Sequence, residues 1–228
     1  MIIEGLQQNT PEWLQQRCGM VTASRVADVC KRLTRASNGK KAGDYAQCRH
    51  DYLMDIVIER LTGRAADNYV SPSMEWGIEQ EPYARAEYEL QRDVEVQLVG
   101  FAMHPKIEWF GASPDGLVGK DGCVEFKCPN TSTHLAYLLE GQVPLEYMPQ
   151  MMAEMACAER QWCDFVSFDP RLPRNLRFFH RRFYRNDEHI AIMESEVRAF
   201  LEDVLLKLGE LAEKAQAIVK VVGDAQCL

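Results

Sequence analysis

No two of the eight cysteines (18, 30, 48, 123, 128, 157, 163 and 227) stand at the C-x-x-C spacing that zinc ribbons and many iron–sulfur sites require. An iron–sulfur enzyme is therefore disfavoured, and the cysteines read as reduced, mostly buried thiols. A metal, if held, is expected on oxygen. No apolar run reaches the roughly 18 residues that span a bilayer. The opening MIIEGLQQNTPEW has neither a basic leader nor an apolar stretch, which sets the expectation of a cytoplasmic protein without a membrane partner. Repeats, low-complexity segments and Pro/Gly/Ser-rich linkers are also missing, so the 228 residues are read as one domain, 1–228, with a single sizeable core.

Positive charge is scarce. The net charge is −8, which argues against a nucleic-acid partner as long as the charge is spread evenly. It is not. Residues 17 to 49 hold Arg17, Arg25, Lys31, Arg32, Arg35, Lys40, Lys41 and Arg49, and residues 171 to 185 hold Arg171, Arg174, Arg177, Arg181, Arg182 and Arg185. Such runs fit a basic surface facing one way, and equally a solvated charged face.

Periodicity gives the elements. Tyr45, Cys48, Tyr52, Leu53, Ile56, Val57 and Leu61 recur at helical spacing over 45–61. A second helix is expected over 73–91 with Trp76, Tyr83, Ala84, Tyr88 and Leu90, bent or restarted at Pro82. Strands are expected at 94–104, 108–114, 115–119 and 123–129 as an antiparallel meander, then helices at 131–140 and 145–160, strands at 162–169 and 176–184, and a long helix at 187–217. The small, polar, basic stretch 35–45 is a candidate mobile loop. Helices before, between and after a central mixed sheet make an α/β (α+β) sandwich.

Within it, GASPDGLVGKDGCVEFKCP (111–129) concentrates chemistry. Alternation along a strand puts Glu125 and Lys127 on one face and Val124 and Phe126 on the other, toward the core. Asp115, in the turn Ser113-Pro114-Asp115-Gly116, meets Glu125 if the two strands pair through 119–122. Two adjacent carboxylates repel unless a cation lies between them, and hard oxygen ligands select Mg2+ or Mn2+. Lys127 adds a charge suited to a scissile phosphate or an attacking water, so the set fits phosphodiester hydrolysis. Taken alone, P-D-x(n)-E-x-K also fits an exposed hairpin kept soluble by its charges.

SPDGL...VEFKCP carries the P-D...(D/E)-x-K signature and resembles the restriction-endonuclease-like nuclease superfamily, within it the viral recombinase branch typified by phage lambda exonuclease. WLQQRCGMVTASRVADV (13–29) is similar to that branch's W-x(3)-R-x-G-x-[IV]-T-A-S block, WGIEQEPYARAEYE (76–89) to its W-G-x(3)-E helix and YMPQMMAEM (147–155) to its Y-M-x-Q helix. The matches run in order over about residues 13–155, and the C-terminal third agrees only in its pattern of elements.

The resemblance implies a restriction-endonuclease-like core and a set of roles. Asp115, Glu125 and the Phe126 carbonyl would hold Mg2+ (or Mn2+), two ions in all, with Glu81 acting on the ions or their waters. Lys127 would assist the attacking water, and Gln150 would hydrogen-bond near it, one turn after Tyr147. Arg17, Ser24 and Ser113 match a 5′-phosphate pocket, although Ser24 alone also reads as a helix N-cap. Asn38, Gly39, Lys40, Lys41, Lys31, Arg32 and Arg35 are candidate duplex contacts. The implied activity is 5′→3′ digestion of one strand of linear double-stranded DNA to mononucleotides. A toroidal homotrimer and a phage single-strand annealing protein would be its partners. The alternatives are a structure-specific endonuclease of the same superfamily and a DNA-binding protein with a retired active site.

Overall fold

In the computed structural model, which describes residues 2–3, 5–36, 39–65 and 71–225, the chain starts with β1 (Ile2–Ile3) and α1 (Pro11–Arg17). Thr10 caps α1 by accepting from the Trp13 N–H, and Pro11 occupies the first turn, where its missing N–H is not needed. Then come β2 (Val21–Thr22), a 3-10 turn at Ala23–Arg25, α2 (Val26–Cys30), α3 (Gln47–Thr62) and α4 (Pro72–Arg92). Helix α4 passes through Pro82 as one element, so the expected restart does not occur. Ala84 and Tyr88 are buried on it, whereas Tyr83 and Leu90 face outward.

The apolar run at 94–104 divides into β3 (Val96–Gln97) and β4 (Phe101–Met103), which join different sheets. Gly100 allows the crossing: a Cβ there would lie 2.1 Å from the Leu6 carbonyl oxygen, so a larger residue would force the backbones apart. With β5 (Phe110–Ala112), β6 (Gly116–Val118), β7 (Gly122–Lys127), α5 (Thr131–Glu140), α6 (Met148–Cys157), β8 (Trp162–Phe168), β9 (Phe178–Tyr184) and α7 (Asp187–Ala225) the fold is complete.

The expected single meander is instead two mixed sheets, β1-β4-β5-β2 and β3-β6-β7-β8-β9. Strands β2 and β5 are parallel, as are β7 and β8. Strand β7 is buried on both faces. Val124 and Phe126 pack with Ala84, Tyr88, Val166 and Phe168, while Cys123 joins the larger core of α2, α3, α6 and α7 residues. The face that carries Glu125 is thus as buried as the apolar one, and the exposed-hairpin alternative is ruled out: Glu125 is 2% exposed. Among the described residues no helix is long and apolar enough to cross a membrane.

Candidate active site

Strands β6 and β7 pair with Gly116 opposite Val124, and the same register carried one residue further sets Asp115 against Glu125. The Phe126 N–H donates to Asp115 Oδ2 at 2.6 Å, which pins the aspartate to the neighbouring strand. One more step along the register places Pro114 opposite Phe126. A proline has no N–H to offer, so strand pairing makes no claim on the Phe126 carbonyl on that side. The Pro114 carbonyl is taken by Gln8 Nε2 at 2.9 Å.

Glu125 Oε1 accepts from Lys127 Nζ and from Gln150 Nε2, the latter at 2.6 Å. Its Oε2 is buried and has no hydrogen-bond partner among the described residues. Helix α4 brings Glu81 into the same electrostatic group. Burial pushes the carboxyls of Asp115 and Glu81 above the usual range, and the charge of Glu125 pushes both further. Lys127 responds in the opposite sense: burial alone would lower it, but Glu125 and Asp115 outweigh that and hold its ammonium above the ordinary lysine value. The lysine also lies over the Tyr147 ring, 5.0 Å from its centroid.

Crowded carboxylates, one orphaned buried oxygen and donors that are all oxygen fit a hard divalent cation such as Mg2+ or Mn2+. Asp115, Glu125, Glu81 and the Phe126 carbonyl are the residues able to hold it.

The structure therefore gathers Asp115, Glu125, Lys127, Glu81 and Gln150 at one place. Tyr147 is there too, by its ring and not its hydroxyl: it stacks on Phe165 at 5.4 Å, and its hydroxyl accepts from Tyr137 at 3.5 Å. Glu154 escapes sequence reading. It is fully buried on α6, one turn beyond Gln150, and accepts from Gln150 Nε2 at 2.8 Å. The available signal was an acid within an otherwise apolar Met/Ala face.

Arg17, Ser24 and Ser113 are connected through two aromatic residues. The Trp13 indole N–H donates to Ser113 Oγ at 2.9 Å, and the Arg17 guanidinium lies 3.8 Å from the centroid of the same ring. Tyr52 Oη accepts from the Thr22 N–H at 3.0 Å, and Thr22 Oγ1 contacts Ser24 Oγ at 3.3 Å. Parallel pairing of Thr22 with Gly111 sends Ser24 and Ser113 off the same end of the β2–β5 pair. Ser24 lies in the 3-10 turn, and no side chain caps that turn's start, so the N-cap role does not apply. Ser113 stands two residues before Asp115, which couples this corner to the carboxylates.

The basic runs are largely engaged within the chain. Arg32 pairs with Glu196 at 2.7 Å and donates to Tyr45 Oη at 2.9 Å. Lys40 donates to the Tyr45 carbonyl at 3.2 Å. Asn38 lies outside the described residues. In the second run, Arg171 binds Asp169, Arg177 binds Glu87, Arg182 binds Asp164 and Arg185 binds Asp187.

A mixed sheet between helices, with Pro-Asp at the mouth of one strand and Glu-x-Lys on the next, defines a nuclease of the P-D...(D/E)-x-K class. The chain belongs to the YqaJ-like viral recombinase domain family, whose profile matches residues 12–161. It is similar to an alkaline exonuclease, LHK-Exo, from Laribacter hongkongensis, with 43% identity and a TM-score of 0.82 over 92% of this chain and 100% of that one. The same enzyme in complex with dAMP matches at 44% identity and the same TM-score and coverage. A phage related exonuclease from Haemophilus somnus 129PT shares the fold at 17% identity, with a TM-score of 0.64 over 84% of this chain and 96% of that one. No curated protein matches the chain.

Proposed function

We propose that this protein is a Mg2+-dependent 5′→3′ exonuclease, with Mn2+ as a substitute. It digests one strand of linear double-stranded DNA from a 5′-phosphorylated end to mononucleotides and leaves a 3′ single-stranded tail. The observation that carries the reading is the orphaned, buried Glu125 Oε2 among Asp115, Glu81 and Lys127. Family membership and the alkaline exonuclease relative support DNA hydrolysis. The complex of that relative with dAMP, a deoxynucleoside monophosphate, suits release of single nucleotides.

Bound at Asp115, Glu125, Glu81 and the Phe126 carbonyl, two divalent ions would supply Lewis acidity to the scissile phosphate and a nucleophile from water at neutral pH. Lys127 steadies charge on the phosphate, and Gln150 orients the attacking water. Arg17, Ser24 and Ser113 bind the 5′-phosphate by charge-assisted hydrogen bonds, which sets the register of the next phosphodiester at the carboxylates. We further assign the enzyme to phage or prophage recombination in the cytoplasm of a bacterial host. It works there as a toroidal homotrimer that hands its tail to a single-strand annealing protein.

The test follows digestion of linear duplex DNA with 5′-phosphate or 5′-hydroxyl ends, beside a closed circle, EDTA and a Lys127→Ala variant. Rapid conversion of the 5′-phosphorylated strand to mononucleotides is expected, abolished by EDTA and by the substitution, with the circle left intact. Cutting of the circle would make the protein an endonuclease. Binding without cutting would make it a DNA-binding protein.

A further inference from the structure

Gln150 donates from one amide nitrogen to two carboxylates, Glu125 Oε1 at 2.6 Å and Glu154 Oε1 at 2.8 Å. The NH2 group has two hydrogens, and both are used. Turning the amide over would set its carbonyl oxygen against two acceptors, so the orientation follows from chemistry.

Glu154 is poorly supported in every other respect. Its Oε2 meets the Cys163 thiol at 3.8 Å, and Cys123 completes a fully buried group whose candidate atoms all lie within 4.8 Å of one another. Thiols are weak donors, and a carboxyl buried without strong partners costs stability. Met151, Ala153, Met155 and Ala156 on the same helix are buried as well, so an apolar side chain would suit this position better. The one nitrogen donor that reaches Glu154 among the described residues is Gln150 Nε2. A costly group whose strong contact is with a candidate active-site amide points to function and not to packing.

We propose that Glu154 is a positioning residue for the hydrolytic site. It locks the Gln150 amide with both hydrogens on carboxylates and the carbonyl oxygen turned away from them, available to the attacking water. This rests on the nuclease reading above, and in it Glu154 acts through Gln150.

The experiment compares wild type, Glu154→Gln, Glu154→Met, Gln150→Ala and the Glu154→Met/Gln150→Ala double variant in kcat and KM for 5′-phosphorylated duplex ends, with thermal melting of each. Glu154→Met keeps the volume and removes the acceptor. Its kcat is expected to fall about tenfold, within the range for residues that orient an active-site group, with KM unchanged and the melting temperature not lowered. Glu154→Gln, which retains an amide oxygen as acceptor, stays within a few-fold of wild type. In the Gln150→Ala background Glu154→Met adds nothing, because the two substitutions remove one device.

A second readout needs neither metal nor turnover. In 15N-glutamine-labelled protein, both Gln150 amide protons resonate as hydrogen-bonded, and in Glu154→Met one of them moves to the position of a free amide. Unchanged amide protons, an unchanged kcat, or losses that multiply in the double variant would each overturn the assignment. A wild-type chain that leaves every DNA uncut would overturn the nuclease reading and this one with it. Active wild type beside an equally active Glu154→Met overturns the positioning role alone.

Discussion

Trp13 does two jobs with one ring. Its N–H donates to Ser113 Oγ at 2.9 Å and to the Gly100 carbonyl at 3.0 Å, and its face carries the Arg17 guanidinium. A Trp13→Phe substitution keeps the face and deletes the donor. Freed from the indole, the Ser113 hydroxyl loses its fixed orientation. The proposed preference for 5′-phosphate over 5′-hydroxyl ends, read as a ratio of kcat/KM values, should then fall by about tenfold, the worth of one hydrogen bond to a charged group. The buried Gly100 carbonyl, left unpaired, should cost about 1–3 kcal/mol of stability in denaturant melts. An unchanged ratio would detach Ser113 from phosphate recognition. At this scale most of the site is legible in the sequence, because Asp115, Glu125 and Lys127 follow from strand alternation and register alone. Trp13, Tyr52 and Glu154 do not: a buried aromatic or a helical acid gains its meaning only from what the tertiary fold sets beside it.

Asp164, in the middle of β8, ties three elements together. It is fully buried and accepts from Arg182 on β9 at 2.8 and 2.9 Å and from the Tyr88 hydroxyl on α4 at 2.8 Å, with His180 Nε2 3.3 Å away. Burial alone would raise this carboxyl, but Arg182, His180 and Tyr88 outweigh it and hold it well below the ordinary carboxylate range. The folded pKa being depressed, the contribution to stability is fully present above the unfolded carboxylate value of about 3.9 and is lost as pH falls below it through the folded value. Asp164→Asn should therefore cost about 3 kcal/mol near neutrality, the lower end for a buried pair because Arg182 is partly exposed. It should also flatten the acid limb of a stability-against-pH curve below pH ~4. Helix α4 carries Glu81, so the variant should lose nuclease activity in parallel with stability, and an unaltered acid limb would assign the acid lability to other carboxylates. Element boundaries are legible where local chemistry sets them. Helix α5 spans the expected 131–140 because the Asn130 side chain caps its start and Gly141, with φ near 66°, ends it. The division of 94–104 between two sheets is not legible, since it depends on Leu6 pressing against Gly100.

Charge is where sequence and molecule diverge most, and the consequence falls on DNA binding. Arg32 and Arg49 read as a free basic run, yet their partners are Glu196 and Asp203, more than 150 positions away on α7. Of the fourteen cations in the two basic runs, Arg17, Lys31, Arg35, Lys40, Lys41, Arg174 and Arg181 form no ion pair among the described residues. A chain of net charge −8 in which half of the two basic runs is tied up in ion pairs is poorly suited to gripping DNA by phosphate contacts alone. If the proposed trimer encloses the duplex, retention becomes topological and separates from electrostatics. The rate of engaging an end should fall steeply with salt, because counterion release drives that step. The number of nucleotides removed per engagement should hardly change, because salt does not open a ring. Both quantities follow from one experiment: digestion of end-labelled duplex begun in the presence of Mg2+ and then challenged with excess unlabelled DNA, at about 50 and 200 mM salt. Run lengths that stay constant while initiation falls would support enclosure. Run lengths that shrink in step with initiation would mean that the enzyme holds DNA by charge alone, and the free lysines and arginines would then be the residues to substitute.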